Sequence, residues 1–204
     1  RQRQICIGDR LETFLLSDNS KSTELEIERL YGGSTIIGLT SVLQALARRP
    51  TLTKLALRRV CLGRDEAILL RIALCNTPNL QSLVLTRNTL GSVGLTELAP
   101  ALYHNTSIRV LDVSGNNLND MDSARLLRDI LRSNKTMTAL DLSDNTFGQT
   151  TGAIECIADG LGSNSKVLEI DLSGCTLRDG GVSILAQTLG SRNTTLQKLK
   201  LGSN

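Results

Sequence analysis

The sequence predicts an α/β fold made by repetition: a curved solenoid with a parallel β-sheet on its concave face and α-helices on its convex face. Three observations predict it. A short apolar line recurs at near-constant spacing. A second pattern, of helical period, fills the gaps between copies of that line. The core must also be thin, because the chain is 40% hydrophobic but only 2% aromatic and has no tryptophan. Thin layers of leucine, isoleucine, valine and alanine suit one unit stacked many times.

The reference line runs from Ile108 to Leu118, with Ile108, Leu111, Val113, Asn116 and Leu118 as its fixed points. Leu80, Leu83, Leu85, Asn88 and Leu90 repeat it upstream, and Leu52, Leu55, Leu57, Val60 and Leu62 repeat it again. Downstream come Met137, Leu140, Leu142, Asn145 and Phe147, then Val167, Ile170, Leu172, Cys175 and Leu177. Leu196, Leu199, Leu201 and Asn204 start a last, truncated copy; Leu25 and Ile27 mark a weaker first one. Alternate residues of a strand share a face, so Leu111 and Val113 point the same way.

Between the lines, apolar residues step by three, four and seven. Leu39, Val42, Leu43 and Leu46 are one such set; Gly94, Leu95, Leu98, Ala99 and Leu102 are another. Ala124, Leu127 and Leu131, then Ile154, Ile157, Ala158 and Leu161, then Val182, Leu185, Ala186 and Leu189 continue the series. Each is one face of a helix. Ser92, Asp122, Thr151 and Asp179 stand near helix starts, where they can accept hydrogen bonds from free N–H groups. Asn105, Asn134, Asn164 and Asn193 stand near helix ends, where asparagine tolerates the left-handed backbone that stops a helix. Like-oriented strands joined through helices pair as a parallel sheet with right-handed crossovers. Helices are wider than strands, so the stack curves with the sheet inside.

Asparagine at the end of each line can satisfy inward-facing backbone groups, because its amide both donates and accepts. Asn88, Asn116, Asn145 and Asn204 can form a ladder. Cys175 substitutes weakly, and Val60 interrupts it.

These residues resemble leucine-rich repeats of the ribonuclease-inhibitor type, Leu-x-x-Leu-x-Leu-x-x-Asn followed by a helix with a Gly-x-x-x-Leu-like step. The resemblance covers about residues 22–204 and includes six to seven repeats of 28–30 residues. Ribonuclease inhibitors, NLR immune receptors, Ran GTPase-activating proteins, and the tropomodulin and CARMIL proteins share this repeat. The resemblance implies protein recognition, in innate immune sensing or cytoskeletal control, inside a larger chain. Residues 1–21 depart from it: Asp9 to about Leu16 reads as the helix of a truncated repeat whose strand is missing. Ile5-Cys6-Ile7 reads as either a short strand or a disordered lead-in.

The outward strand positions form the natural binding surface. Asp112, Asp141 and Asp171 should stack as neighbours, where like charges repel; they await a cationic partner, or they are simply the repeat's habit, with the following serine as a cap. Arg29, Arg58, Arg59 and Arg87 form a basic area. Together they describe a two-signed surface for a charged protein. The concave contact set is Arg58, Arg59, Val84, Arg87, Val110, Asp112, Asp141, Asp144, Glu169, Asp171, Lys198 and Lys200. Self-association through uncapped ends is a further option.

No catalytic machinery is legible. A row of aspartates on a flat sheet has no enclosing wall, and the single His104 has no metal-ligand companions. The reading is therefore a non-enzyme with no cofactor and no metal. The alternatives are a GTPase-activating accessory role and a structural scaffold. A net charge of +3 argues against nucleic acid or an anionic membrane as main partner. Five cysteines without a Cys-x-x-Cys pair read as reduced, mostly buried thiols, which places the chain in the cytoplasm or nucleus. Asn105, Asn134 and Asn193 head glycosylation-like triplets, but their shared position in the repeat is better explained by helix termination.

Overall fold

The computed structural model describes Gln4–Ile5, residues 22–28 and residues 39–204. The helix expected at Asp9–Leu16, the Gly32-Gly33 pair, Arg29 and Cys6 lie outside the described residues.

Among the described residues, eight parallel strands form one sheet in chain order: β1 (Gln4–Ile5), β2 (Glu24–Glu28), β3 (Lys54–Arg58), β4 (Ser82–Val84), β5 (Val110–Asp112), β6 (Ala139–Asp141), β7 (Glu169–Asp171) and β8 (Lys198–Lys200). The helices are α1 (Leu39–Leu46), α2 (Arg64–Cys75), α3 (Gly91–Tyr103), α4 (Met121–Ser133), α5 (Ala153–Ser163) and α6 (Arg178–Arg192). A 3-10 turn, Phe147–Gln149, precedes α5. Of the two readings of the segment at Ile5, the short strand is the one found: Gln4 and Ile5 pair with Glu26 and Ile27, so the first repeat does not lack its strand.

Register follows the repeat. Leu55, Leu83, Leu111, Leu140, Ile170 and Leu199 lie side by side across β3–β8. All five fixed points of the reference line are buried, with Asn116 among them. One continuous core runs from Leu25 to Leu185, and Phe147 is its largest fully buried side chain.

Two ladders of asparagine tie repeat to repeat. In the first, the Asn88 Oδ1 accepts the Val60 and Leu62 N–H groups at 2.9 and 3.2 Å, while Nδ2 donates to the carbonyls of Leu57 and Leu85. Asn145 does the same for the N–H groups of Asn116 and Leu118. Asn204 does it for Cys175 and Leu177. The turns served this way put their second residue in the left-handed region: Cys61, Asn117 and Thr176. The two turns between them differ. There the Gly91 N–H donates to the Asn116 carbonyl and the Gly148 N–H to the Cys175 carbonyl. Asn116 and Cys175 follow these turns. The Asn116 Oδ1 consequently has no hydrogen-bond partner among the described residues. At the other position a thiol suffices, its Sγ–H donating to the Leu142 carbonyl at 3.3 Å.

The second ladder corrects the expectation for the helix ends. Asn134, Asn164 and Asn193 have extended backbones, with φ of −71°, −91° and −115°, and Asn105 is not left-handed either. They act through their side chains. The Asn134 Oδ1 accepts the N–H groups of Thr136 and Met137, and its Nδ2 reaches the Leu102 carbonyl one repeat back. Asn164 and Asn193 repeat that geometry. The chain must leave the helix extended to enter the next strand, and the amide supplies the bonds that the lost helical turn gave up.

Helix starts also differ from expectation. Asp120, not Asp122, caps α4, its carboxylate accepting the Ser123 N–H at 2.8 Å. Gly152, with φ of 83°, caps α5, and residues Leu90 and Leu177 precede α3 and α6 without side-chain caps. In α3 and α6 the helix begins directly after the buried leucine, so Ser92 and Asp179 fall inside the first turn.

Candidate protein-interaction surface

Because Leu55, Leu83, Leu111, Leu140 and Ile170 face the core, the residues alternating with them face out. One outward row reads Ala56, Val84, Asp112, Asp141, Asp171 and Lys200 in register. The aspartates are therefore neighbours, as the spacing required. Each Oδ1 accepts the N–H of the serine two residues on, at 2.9 Å. Ser114 and Ser143 also donate their hydroxyls to Asp112 and Asp141 at 2.6 Å. This turn closes the strand, so one oxygen of each aspartate serves the fold. It also buries Ser114, which the free-position pattern had left outward.

The second oxygens differ. The Asp112 Oδ2 accepts the Thr86 hydroxyl at 2.8 Å, and the Asp171 Oδ2 lies 3.2 Å from the Lys200 Nζ. The Asp141 Oδ2 has no partner among the described residues. Burial pushes the Asp141 carboxyl above its usual range, the charges of Asp112 and Asp171 add to the rise, and the Ser143 bonds oppose it. Burial pushes Asp171 up too, but the bonds from Ser173 and Lys200 together outweigh it and hold that carboxyl below the usual range.

Ion pairs within the chain engage the cations at both ends of the face. Glu26 lies 2.6 Å from Lys54 and 3.7 Å from Arg58. Lys198 and Lys200 close on Glu169 at 2.9 and 3.0 Å. Arg58, Glu169, Lys198 and Lys200, expected as partner contacts, thus have intramolecular partners already. Diagonal neighbours on adjacent strands come within reach of long side chains, and a one-line reading of the repeats does not reveal which diagonals close.

The residue just before each of Val60, Asn88, Asn116, Asn145, Cys175 and Asn204 is left-handed: Arg59, Arg87, Gly115, Asp144, Gly174 and Ser203, with φ from 54° to 66°. A side chain there costs about 1–2 kcal/mol over glycine. Arg87 leans over Gly115, where an added Cβ would sit 3.0 Å from its Cγ. Its guanidinium ends 3.6 Å from Asp144, two repeats away, with both side chains more than half exposed. Asp144 leans in turn over Gly174. Arg59 is exposed and has no ion pair among the described residues.

The apolar candidates separate. Val110 is 38% exposed at the centre of the sheet, whereas Val84 is 7% exposed and offers little to touch. Leu168, just before β7, is exposed to about the same degree as Val110 and was not singled out from the pattern. It occupies a connecting position whose copies are Thr53, Gln81, Arg109 and Thr138, so no apolar column pointed to it.

Other candidates resolve structurally. Cys175 is fully buried, and burial pushes its thiol up to about 12. The expectation of mostly buried thiols fails elsewhere: Cys75 is exposed, and Cys61 and Cys156 are half-buried. These lie beside turns or on helix flanks, outside the apolar stripe. His104 ends α3 with its ring edge-on to Tyr103, and among the described residues no three metal-ligating side chains converge. Asn134 is buried with its amide engaged, so its glycosylation-like triplet presents no free nitrogen. Among the described residues no helix is long and apolar enough to cross a membrane.

Residues 77–99, 104–120, 133–150 and 163–186 match the family model described as a leucine-rich repeat. The chain is a stack of leucine-rich repeats. It is 32% identical over 157 residues to human "NACHT, LRR and PYD domains-containing protein 13", covering 76% of this chain and 15% of that protein. The stack thus spans a small part of the curated relatives it matches. Among solved structures, the tropomodulin C-terminal domain of Caenorhabditis elegans superposes with a TM-score of 0.61 at 16% identity, over 76% of this chain and 92% of that one. A leiomodin-1 structure, titled as its actin-binding site 2, superposes with a TM-score of 0.52 at 19% identity, over 83% of this chain and 80% of that one. At these identities the two structures show a shared leucine-rich-repeat fold.

Proposed function

We propose that this stack is a non-catalytic protein-interaction module of a larger cytoplasmic protein, and that it takes its partner on the concave sheet. The observation that carries the reading is Val110: a large apolar side chain, exposed at the middle of a sheet whose backbone is fixed from both ends by asparagine ladders. A rigid, preformed surface binds without an ordering cost. The likeness to a structure titled as an actin-binding site supports protein recognition by this architecture.

The test is affinity capture with two arginine variants. Val110→Arg places a long cation at the centre of the concave face without touching the core. Val93→Arg, on the exposed flank of α3, is the control, since Val93 is an exposed apolar residue on the other side. Loss of a specific captured protein with the first variant and its retention with the second supports the proposal. An identical captured set with both would overturn it, provided the two melting temperatures agree.

A further inference from the structure

We infer that the concave face takes a polypeptide segment bearing charges of both signs, its acidic group against Arg59 and Arg87 and its basic group against Asp141 and Asp112, with small uncharged side chains between. This rests on the proposed binding face and names the chemistry of its occupant.

The inference comes from subtraction. Lys54 and Arg58 are paired with Glu26 on the β2–β3 side, and Lys198 and Lys200 with Glu169 and Asp171 on the β7–β8 side. Between them stand the charges that the chain has not answered. Arg59 is exposed and without an ion pair among the described residues. Arg87 has only the Asp144 contact at 3.6 Å, with both groups more than half exposed and readily exchanged for a partner's. On the other side of the same window, Asp141 keeps one oxygen unpartnered and Asp112 has a neutral hydroxyl, not a cation.

The chain itself shows what the acidic row accepts. At its last position the Lys200 ammonium sits 3.2 Å from Asp171. No lysine or arginine occupies the corresponding place beside Asp141, whose register neighbours are Asp112 and Asp171. The residues between the two charge sets, Val84, Thr86 and Ser114, are small and uncharged, and Val110 and Ala139 flank the aspartates on the side away from the arginines. From the β3 loop to β6 is three strand spacings, roughly 14 Å at ~4.8 Å each. Arg59 lies three residues beyond the row that holds Asp141, so the occupant crosses the strands obliquely.

Two signs within one window select the class of partner. A nucleic acid would gain at Arg59 and Arg87 but meet Asp112, Asp141, Asp144 and Asp171 on the same face. A polypeptide can place a carboxylate at one side and an ammonium or guanidinium at the other, which rewards the right partner and penalises a single-signed one.

Fluorescence anisotropy at low salt with four labelled probes tests this. The first is a synthetic peptide with two glutamates and two lysines separated by about five small uncharged residues, at ~3.3 Å each when extended. The second and third carry only glutamate or only lysine at the charged positions. The fourth is an oligothymidylate. The two-signed peptide should bind at least about tenfold more tightly than each of the others. That advantage should vanish in the Arg59→Glu/Arg87→Glu variant and, separately, in the Asp112→Asn/Asp141→Asn variant. Asparagine keeps the acceptor for the following serine, so the strand ends stay intact. Equal or tighter binding of a single-signed probe, no measurable binding of the two-signed peptide, or an advantage that survives either variant would overturn the inference. Such a failure leaves the Val110→Arg capture result standing, because an uncharged partner would still be lost there.

Discussion

The turns after β5 and β6 begin with the same residue at the same depth, yet use it in opposite ways. Asn116 and Asn145 are both fully buried, and both follow an Asp-x-Ser segment. The Asn145 Oδ1 accepts two N–H groups from the turn before it; the Asn116 Oδ1 accepts none. What differs is the preceding turn. The turn at Asn116 is left-handed at Asn117 and points its N–H groups at the next repeat's side chain. The turn at Asn88 instead hands one N–H, from Gly91, to the next repeat's backbone. A side chain's worth at a repeat position is thus set by the neighbouring copy.

The largest expected effect breaks the backbone-to-backbone kind of turn. A Cβ on Gly148 would sit 2.0 Å from the Thr176 carbonyl oxygen. Gly148→Ala should therefore cost about 3 kcal/mol or more, since a packed backbone cannot retreat that far. Gly91 holds the equivalent place with φ of 56° and nothing within 4 Å of an added Cβ. Its alanine variant should lose only the left-handed penalty, about 1–2 kcal/mol. Urea denaturation of both measures the gap. Equal losses would mean that backbone conformation, not the close approach at Thr176, makes glycine necessary.

Next in size is the pair of asparagines. Asn145→Cys strands the N–H groups of Asn116 and Leu118 and should cost about 1–3 kcal/mol. Asn116→Cys removes an oxygen that bonds to nothing, and a thiol can replace part of the donation to the Leu85 carbonyl, as Cys175 does toward Leu142. It should cost less than about 1 kcal/mol. Matching melting temperatures for the two cysteine variants would remove the distinction between the turns.

Much of this architecture was legible because burial imposes period. Leu111 and Val113 face the core for the same reason in every copy, and one count of residues placed seven strands in register. The eighth, Gln4–Ile5, was one of two readings of its segment, because two residues are too few for a period to decide. The row Asp112–Asp141–Asp171 was equally legible, since it follows from register. Its electrostatics were only partly so: Lys200 stands beside Asp171 in register, but Thr86 reaches Asp112 diagonally, and diagonals depend on rotamers. The helix-end asparagines show the opposite failure. Their period was visible, but the local rule for asparagine as a helix stop was applied where a bond across repeats decides. Asn134→Gly separates the two ideas: a left-handed stop would tolerate glycine, whereas the ladder predicts a loss of about 1–3 kcal/mol from the unpaired Thr136, Met137 and Leu102 groups.

The smallest effect sharpens the contrast within the acidic row. Asp141 has a raised carboxyl and Asp171 a lowered one, so they bear on stability with opposite sign. A raised folded-state value means the folded chain holds the proton more tightly than the unfolded chain. Asp141 therefore destabilises at neutral pH, and the penalty is relieved as pH falls through its raised value. Asp171 stabilises above the ordinary carboxylate value, and that contribution fades as pH falls through its lowered one. At neutral pH, Asp141→Asn should raise the melting temperature slightly and Asp171→Asn should lower it, each by under about 1 kcal/mol because both groups are partly solvated. Asp141→Asn should converge on the parent as pH falls below the ordinary carboxylate value, and Asp171→Asn only once pH falls below the lowered value of Asp171. Thermal melts across that range read the sign directly. A fall in melting temperature at neutral pH for Asp141→Asn would mean that the Asp112–Asp141–Asp171 repulsion is already compensated within the chain, and that Asp141 has no unanswered charge to offer a partner.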